Sequence, residues 1–363
     1  MTDNKKDILT VSHSQRNSSI ELLRILCMMF IVGLHVIGFG VDAPYRTGLL
    51  FGGADYMWCK ALGTIFSTAV DTFVLISGYF AIRLKPRKIA KIWLMVLCYS
   101  YTVFIIKWLL GRVHLSDVKY LLPVTSRVFW FISVYFVLCL LSPLINEFVS
   151  RIDRRQHAKV VGIGVLLVYG WATVSYLFNF AQMIPDYGGG IINFVILYLI
   201  GRYIRLYVSH HRPVWMLTLM FLAIIASNVI IESVLSMVLG FGFSSFQNND
   251  SVFTVAAAVL LFMIFRSLHF HSKVVNLLAT NCLAVFVFHM NDVVMPWLTS
   301  TFRLPTLAGA QILWACIYIP MMVYFAGVTV EAIRKLIFGG LENKLIDKLA
   351  CFYRQRLLTI WRG

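Results

Sequence analysis

Charged residues are scarce in this chain. Asp, Glu, Lys and Arg make up 13% of its 363 residues, whereas a typical soluble domain has about 25%. Hydrophobic residues reach 60%, above the roughly 45–50% of soluble domains. A chain with so few charges cannot cover the surface of a soluble fold, and the composition predicts a polytopic membrane protein.

Paired cysteines are also absent. The seven cysteines are scattered, mostly within apolar runs, and none belongs to a CxxC motif or a zinc-type cluster with histidine. We therefore expect no disulfide framework and no metal. No internal repeat, low-complexity tract or long linker divides the chain, and no A-x-A cleavage site follows the first apolar run.

Ten apolar stretches are long enough to cross a bilayer, which takes about 20 residues. They lie at 20–40, 57–82, 89–110, 129–149, 160–178, 190–208, 214–240, 252–270, 281–300 and 308–334. The predicted fold class is an all-α polytopic integral membrane protein with about ten transmembrane helices. Residues 1–19 are expected to form a cytoplasmic segment, 20–334 the transmembrane domain and 335–363 a cytoplasmic amphipathic basic tail.

Lysine and arginine are distributed unequally between the two sides of these spans. If the N-terminus is cytoplasmic, 24 of the 32 fall on the cytoplasmic side, five on the opposite side and three within spans. This bias predicts that both termini are cytoplasmic. The formal charge of +16 then lies along the anionic inner leaflet, so the expected partners are membrane lipids and not nucleic acid.

The first span, SIELLRILCMMFIVGLHVIGFG, keeps three residues that are costly in lipid: Glu21, Arg24 and His35. Eleven helical steps of 100° separate Arg24 from His35, so both lie on one face, about 16 Å apart along the axis. The stripe predicts one wall of a polar cavity that opens to the cytoplasm. The alternative is a Glu21–Arg24 ion pair at the membrane boundary beside a packed, hydrogen-bonded His35.

Further polar residues are expected within spans 2, 4 and 9. Asp71 lies in the second span, and His289 and Asp292 are neighbours at i and i+3 in the ninth. Pro143 is expected to kink or unwind the fourth span. A structural hydrogen bond or an interfacial position could explain each polar residue alone. Together they indicate a functional cavity inside the helix bundle.

Four segments resemble the membrane acyltransferase-3 family. ELLRILCMMFIVGLHV resembles its first helix, in which ten residues separate Arg from His, and VDTFVLISGYF resembles its second-helix motif, here followed by the basic loop RLKPRK. FWFISVYFVLCLLSPLIN and VFVFHM resemble later helices. The resemblance covers residues 18–334 and carries the expectation of ten helices. Some members append a periplasmic domain, and we expect none here.

The resemblance implies an enzyme of the inner (plasma) membrane that transfers an acyl group, usually acetyl from acetyl-CoA, to a glycan hydroxyl. Acetyl-CoA is then a co-substrate, and the acceptor is a cell-surface or lipid-linked saccharide. Basic side chains near the cytoplasmic end of the first two spans are expected to hold the donor phosphates. They are Arg24, Arg83, Lys85, Arg87 and Lys88.

His35 is the predicted general base, and Asp71 either orients its ring or lies elsewhere. The residues expected to contact the acceptor are Trp130, Tyr135, His289 and Asp292. Because no serine nucleophile elbow and no Cys/His pair is evident, direct transfer is favoured, although a histidine could itself be acylated.

Two other functional classes fit parts of the pattern. A secondary transporter or a flippase of a lipid-linked saccharide could use intramembrane His, Asp and Arg as a proton relay. No internal repeat and no matched pair of broken helices supports it. A membrane sensor or scaffold would leave the deep histidine unexplained. Label transfer from acetyl-CoA separates the enzyme from the transporter.

Overall fold

The computed structural model of the chain describes residues 17–41, 53–209 and 212–360. Almost all of the predicted N-terminal segment, 1–19, lies outside the described residues. Within the described ranges the regular structure is helical throughout, which confirms the all-α prediction. The α-helices are α1 Ser18–Val36, α2 Ala54–Phe80, α3 Pro86–Leu109, α4 Trp130–Arg151, α5 Arg154–Gly164, α6 Trp171–Phe178, α7 Ile191–Tyr207, α8 Val214–Leu239, α9 Val252–Ser267, α10 Lys273–Ala279, α11 Cys282–His289, α12 Val294–Thr301 and α13 Ala310–Ile360.

Each of the ten predicted stretches contains a helix, but the helices are not equally long. Eight helical segments of the described chain are long and apolar enough to cross a membrane. The pair Cys282–His289 and Val294–Thr306 counts as a ninth if its 72° bend lies within one span. Helix α7, with 17 residues, is a little shorter than the roughly 20 residues of a full span. The polytopic membrane architecture is confirmed, and the cytoplasmic position of the termini stays a prediction.

Pro143 does not unwind the fourth span, so of the two effects expected from the sequence only the kink stays a prediction. Helix α4 continues through Pro143 to Arg151. A proline lacks the N–H that would bond to the carbonyl four residues earlier, here that of Cys139. The Ser142 hydroxyl donates to that carbonyl at 2.8 Å, so the freed acceptor is paired within the helix.

Helix α2 is the central packing element, because it contacts α1, α7, α8 and α9. Its crossing with α7 requires glycine on both sides. A β-carbon at Gly78 would lie 2.3 Å from the Tyr198 carbonyl oxygen, and one at Gly201 would lie 2.4 Å from that of Leu75. Close packing of small residues therefore explains the SGY segment of α2.

Helix α13 extends well beyond the last predicted span. Its 51 residues would measure roughly 75 Å in a straight helix, more than twice the thickness of a bilayer core of about 30 Å. The predicted start of the tail, residue 335, falls inside this helix. Arg334, the residue before this predicted boundary, is buried. It donates to Glu331 at 2.8 Å and also contacts Glu342, about two turns farther along the same helix.

Candidate active site

One large cavity of about 1750 Å³ lies between helices α1, α2, α3, α4, α7, α9, α10, α11 and α13. Helix α1 contributes one wall, because Glu21, Arg24, Met28 and Ile31 all line the cavity at helical spacing. The first part of the predicted polar stripe therefore faces a cavity. His35, one turn beyond Ile31, is not among the lining residues.

The open end of this cavity is strongly cationic. Nine Lys and Arg side chains line the cavity, against the three acidic side chains Glu21, Glu331 and Glu342. The cations are Arg24, Arg83, Lys88, Lys91, Arg202, Arg205, Arg266, Arg334 and Lys335. They come from helices that are distant in sequence, so the positive field is a property of the assembled fold.

Only three of the nine cations form ion pairs within the described part of the chain. Arg24 lies 3.6 Å from Glu21, and Arg334 and Lys335 both pair with Glu331. The other six have no carboxylate partner among the described residues; Arg205, for example, donates to the Tyr79 hydroxyl at 3.1 Å. An open end with so many uncompensated cations suits an anionic ligand.

The predicted basic loop divides into two groups. Arg83 and Lys88 line the cavity, whereas Lys85 and Arg87 do not. Lys85 occupies the N-cap position of α3. Arg87 pairs with Asp347 of α13 at 3.1 Å, with both side chains more than half exposed. The loop therefore contributes two of its four predicted donor-binding cations to the cavity wall.

The closed end of the cavity is aromatic. Phe131 stacks on Tyr135 with ring centroids 5.7 Å apart and meets Phe286 at 5.8 Å. Phe73 of α2 lies 6.3 Å from Phe131. The Tyr135 hydroxyl lies 3.2 Å from that of Ser77, which also lines the cavity. Phe286 also packs against the ring of His289 at 5.9 Å, so this aromatic part of the lining is next to the histidines.

Behind this aromatic closure two histidines are in direct contact. His35 Nδ1 lies 3.0 Å from His289 Nε2. His289 is fully buried, its Nδ1 lies 2.8 Å from the Val285 carbonyl oxygen, and Phe286 packs against its ring. His35 is only half-buried. The fold thus joins the deep histidine of the first span to that of the ninth, one aromatic layer away from the cavity.

Asp71 is separate from this pair. Its side chain is fully buried, with Oδ1 at 3.5 Å from the Asn193 amide of α7. Its second oxygen has no hydrogen-bond partner among the described residues. The sequence left two places open for Asp71, beside the His35 ring or elsewhere. The ring nitrogen of His35 contacts His289 and Asp71 contacts Asn193, so the second of these places is the observed one. The described residues contain no group of His, Cys, Asp or Glu that could hold a metal.

Asp292 also lies apart from His289, although the sequence placed the two at i and i+3. Helix α11 ends at His289, so the two side chains are not placed on one helical face. Asp292 instead pairs with Lys119 at 3.0 Å and, more distantly, with Lys107. Lys107, near the end of α3, also pairs with the buried Asp117 of the short 3-10 segment Leu115–Leu121 that follows α3.

The pKa of Asp117 reflects this cluster. Burial raises the pKa of the carboxyl, but hydrogen bonds from Lys107 and from the His114 backbone N–H lower it more, so the net shift is downward. Lys107 and Lys119 also pair with Asp292, which remains about half exposed beside the break between α11 and α12. This charged cluster lies at the end of the bundle away from the cationic opening.

The two predicted aromatic residues of α4 have different surroundings. Tyr135 lines the cavity at its aromatic end. Trp130 does not; its ring packs against Phe194 and lies beside Gly189 at the start of α7.

Six cavity cations were not singled out from the sequence: Lys91, Arg202, Arg205, Arg266, Arg334 and Lys335. Each lies at or near the end of a predicted span on the side expected to be cytoplasmic, which was the available signal. Sidedness alone could not tell which of many basic residues face a common interior.

Helical spans around one polar cavity, with intramembrane histidines at its far end, define the chain as a polytopic membrane protein with an internal site. The acyltransferase-3 family model, described as an acyltransferase domain, matches residues 17–331. The chain belongs to this family and is a membrane acyltransferase. No curated protein and no solved structure matches it.

Proposed function

We propose that this acyltransferase transfers acetyl from acetyl-CoA to a hydroxyl of a cell-surface or lipid-linked saccharide in the inner (plasma) membrane. The observation that carries the proposal is the polarity of the cavity. Its open end is lined with cations, and its closed end abuts the His35–His289 pair. A ligand that is anionic at one end and reactive at the other matches this arrangement.

The donor enters through the cationic end. CoA carries several phosphates, and six of the lining cations have no carboxylate partner among the described residues. In our proposal Arg24, Arg83 and Lys88 hold these phosphates, and Arg202 and Arg205 complete the ring from α7. The predicted cytoplasmic position of this end agrees with the compartment in which CoA is found.

The thioester then approaches along α1. From Arg24 the lining residues Met28 and Ile31 lead toward His35, with an axial rise of about 16 Å between Arg24 and His35. The flexible pantetheine arm fits this apolar path. Phe131 and Phe286 close it short of the histidines, so the rings must move aside when the acetyl group reaches the acceptor.

The proposed chemistry is direct transfer. The acceptor hydroxyl gives its proton to His35 while its oxygen attacks the thioester carbonyl carbon. The C–S bond breaks as the tetrahedral intermediate collapses, and the imidazolium returns the proton to the departing CoA thiolate. The products are an acetyl ester and CoA thiol, with no net change in the enzyme.

The acceptor approaches from the opposite end of the bundle. There Asp292 is about half exposed, three residues from His289 in sequence, and is the candidate for a hydrogen bond to a sugar hydroxyl. Tyr135, at the aromatic closure, is the candidate to contact the acetyl group. Trp130 and Asp71 lie outside this route and support the packing of α7.

Radiolabelled acetyl-CoA and purified protein in detergent test the proposal. The wild-type protein should release or transfer label, and His35→Ala, at equal folded yield, should lose most of this turnover. His157→Ala is the matched control. It removes another buried histidine, which bonds to the Leu199 carbonyl outside the cavity, and it should leave acetyl turnover unchanged. Saccharide flux without label transfer would instead identify a transporter.

A further inference from the structure

The contacts of His289 determine which nitrogen of His35 carries the proton. A neutral imidazole has one N–H, and a backbone carbonyl oxygen can only accept a hydrogen bond. His289 Nδ1 lies 2.8 Å from the Val285 carbonyl oxygen. That nitrogen therefore carries the hydrogen of His289 and donates it to Val285.

The rest of the chain of hydrogen bonds follows from this first assignment. With its hydrogen on Nδ1, His289 presents a lone pair on Nε2. His35 Nδ1 lies 3.0 Å from that nitrogen, so His35 must donate its own Nδ1–H. The Nε2 of His35 is then unprotonated and faces away from His289.

The opposite assignment leaves buried groups mismatched. If His35 carried its hydrogen on Nε2, two lone pairs would face each other across 3.0 Å. Turning the His289 tautomer as well would set a lone pair against the Val285 carbonyl at 2.8 Å. His289 is fully buried, so no water replaces a missing partner. Among the described residues, no Lys, Arg, Asp or Glu bonds either ring to change this order.

We propose that His289 is a positioning residue that holds His35 in the Nδ1–H tautomer and so aims a basic Nε2 at the substrate hydroxyl. This inference rests on the proposed role of His35 as base. His289 keeps the same protonation throughout. When His35 Nε2 takes the hydroxyl proton, Nδ1–H still donates to His289, and the proton later leaves from Nε2 to the CoA thiolate. This positioning role takes the place of the expectation from the sequence that His289 contacts the saccharide acceptor.

Kinetics of His289 variants test the positioning role. His289→Leu removes the nitrogen that accepts the hydrogen bond from His35. We expect kcat to fall by roughly 10²–10⁴-fold, the usual worth of a positioned acid–base group, with KM for acetyl-CoA unchanged within twofold. His289→Gln retains an oxygen that can accept from His35 Nδ1–H and should recover at least tenfold of the loss. His157→Leu is the matched control for a buried, carbonyl-bonded histidine and should leave kcat unchanged.

A spectroscopic measurement keeps the inference testable even if His289→Leu does not fold. Nitrogen-15 NMR of wild-type protein labelled at histidine distinguishes Nδ1–H from Nε2–H rings, and His35→Gln identifies the His35 signals by their loss. We expect His35 as Nδ1–H in wild type and a shift toward Nε2–H in His289→Leu.

The possible outcomes separate the two proposals. An active His35→Ala protein overturns the proposed base itself. An inactive His35→Ala protein with normal kcat in His289→Leu, or with no advantage of Gln over Leu, overturns only the positioning role. An Nε2–H signal for His35 in wild type also overturns the positioning role.

Discussion

The two ends of the cavity differ in almost every physical property. The open end carries nine cationic side chains drawn from several helices, and most of them have no acidic partner among the described residues. The far end holds two contacting histidines beside a layer of aromatic rings. One end is suited to binding an anion from water, whereas the other places two imidazoles in contact and is suited to moving a proton.

In the proposed mechanism, donor binding and chemistry depend on different residues of the same helix. Arg24 belongs to the open end and His35 to the histidine end, with about 16 Å of helix between them. Substitutions at the two ends should therefore fail in different ways.

The largest effect is expected when the histidine end loses its base. His35→Gln keeps a hydrogen-bonding side chain but cannot take the proton, so transfer should fall about 10²–10⁴-fold, close to the loss in His35→Ala. The acetyl-transfer rate at saturating donor measures this. If Gln retained most of the activity, shape and not proton transfer would explain the residue.

A smaller effect is expected when the open end loses Arg24. A hydrogen bond to a charged group contributes about 1.5–3 kcal/mol, so Arg24→Ala should raise KM for acetyl-CoA roughly 10–100-fold with little change in kcat. Arg24→Lys should recover only part, because lysine cannot form a two-pronged contact with phosphate. A change in kcat alone, with KM unaffected, would move Arg24 out of the donor site.

Removing two loop cations should have a weaker effect that depends on salt. Arg83→Ala with Lys88→Ala should raise KM for acetyl-CoA about three- to tenfold at low salt, since exposed charge pairs contribute up to about 1 kcal/mol each. The difference from wild type should shrink at high salt, where screening acts over about 3 Å. Arg155→Ala with Lys159→Ala removes the same charge from α5, outside the cavity, and should change KM by less than twofold.

The smallest effect is expected at the contact between the loop and α13. Arg87 and Asp347 form an ion pair at 3.1 Å, but both side chains are more than half exposed. Such pairs are worth about 0–1 kcal/mol, so Asp347→Asn should leave both KM for acetyl-CoA and the melting temperature nearly unchanged. A large rise in KM would show that this contact shapes the donor site.

The sequence was sufficient for the features that depend on local pattern. Composition and span length predicted an all-α membrane bundle, and the 100° step of a helix put Glu21 and Arg24 on one face, where they now line the cavity. The family motifs predicted a membrane acyltransferase, which the family model confirms.

Features that depend on long-range packing could not be obtained in this way. The contact of His35 with His289 joins residues 254 positions apart, and the α11–α12 bend separates Asp292 from His289 despite their spacing. Arg202 and Arg266 join the cavity wall only once α7 and α9 are packed. The course of α4 through Pro143 depended on a hydroxyl in the preceding position, Ser142, bonding the freed carbonyl.

In the proposed mechanism the cavity separates donor binding from proton transfer, and paired measurements on two variants test this separation. Acetyl-CoA affinity and acetyl-transfer rate should be determined on the same folded preparations of His35→Ala and Arg24→Ala. We expect that His35→Ala binds acetyl-CoA normally but transfers at least about a hundredfold more slowly, while Arg24→Ala binds weakly yet transfers at a near-normal rate once saturated. Near-normal transfer by His35→Ala, or equal losses of both quantities in both variants, would contradict it.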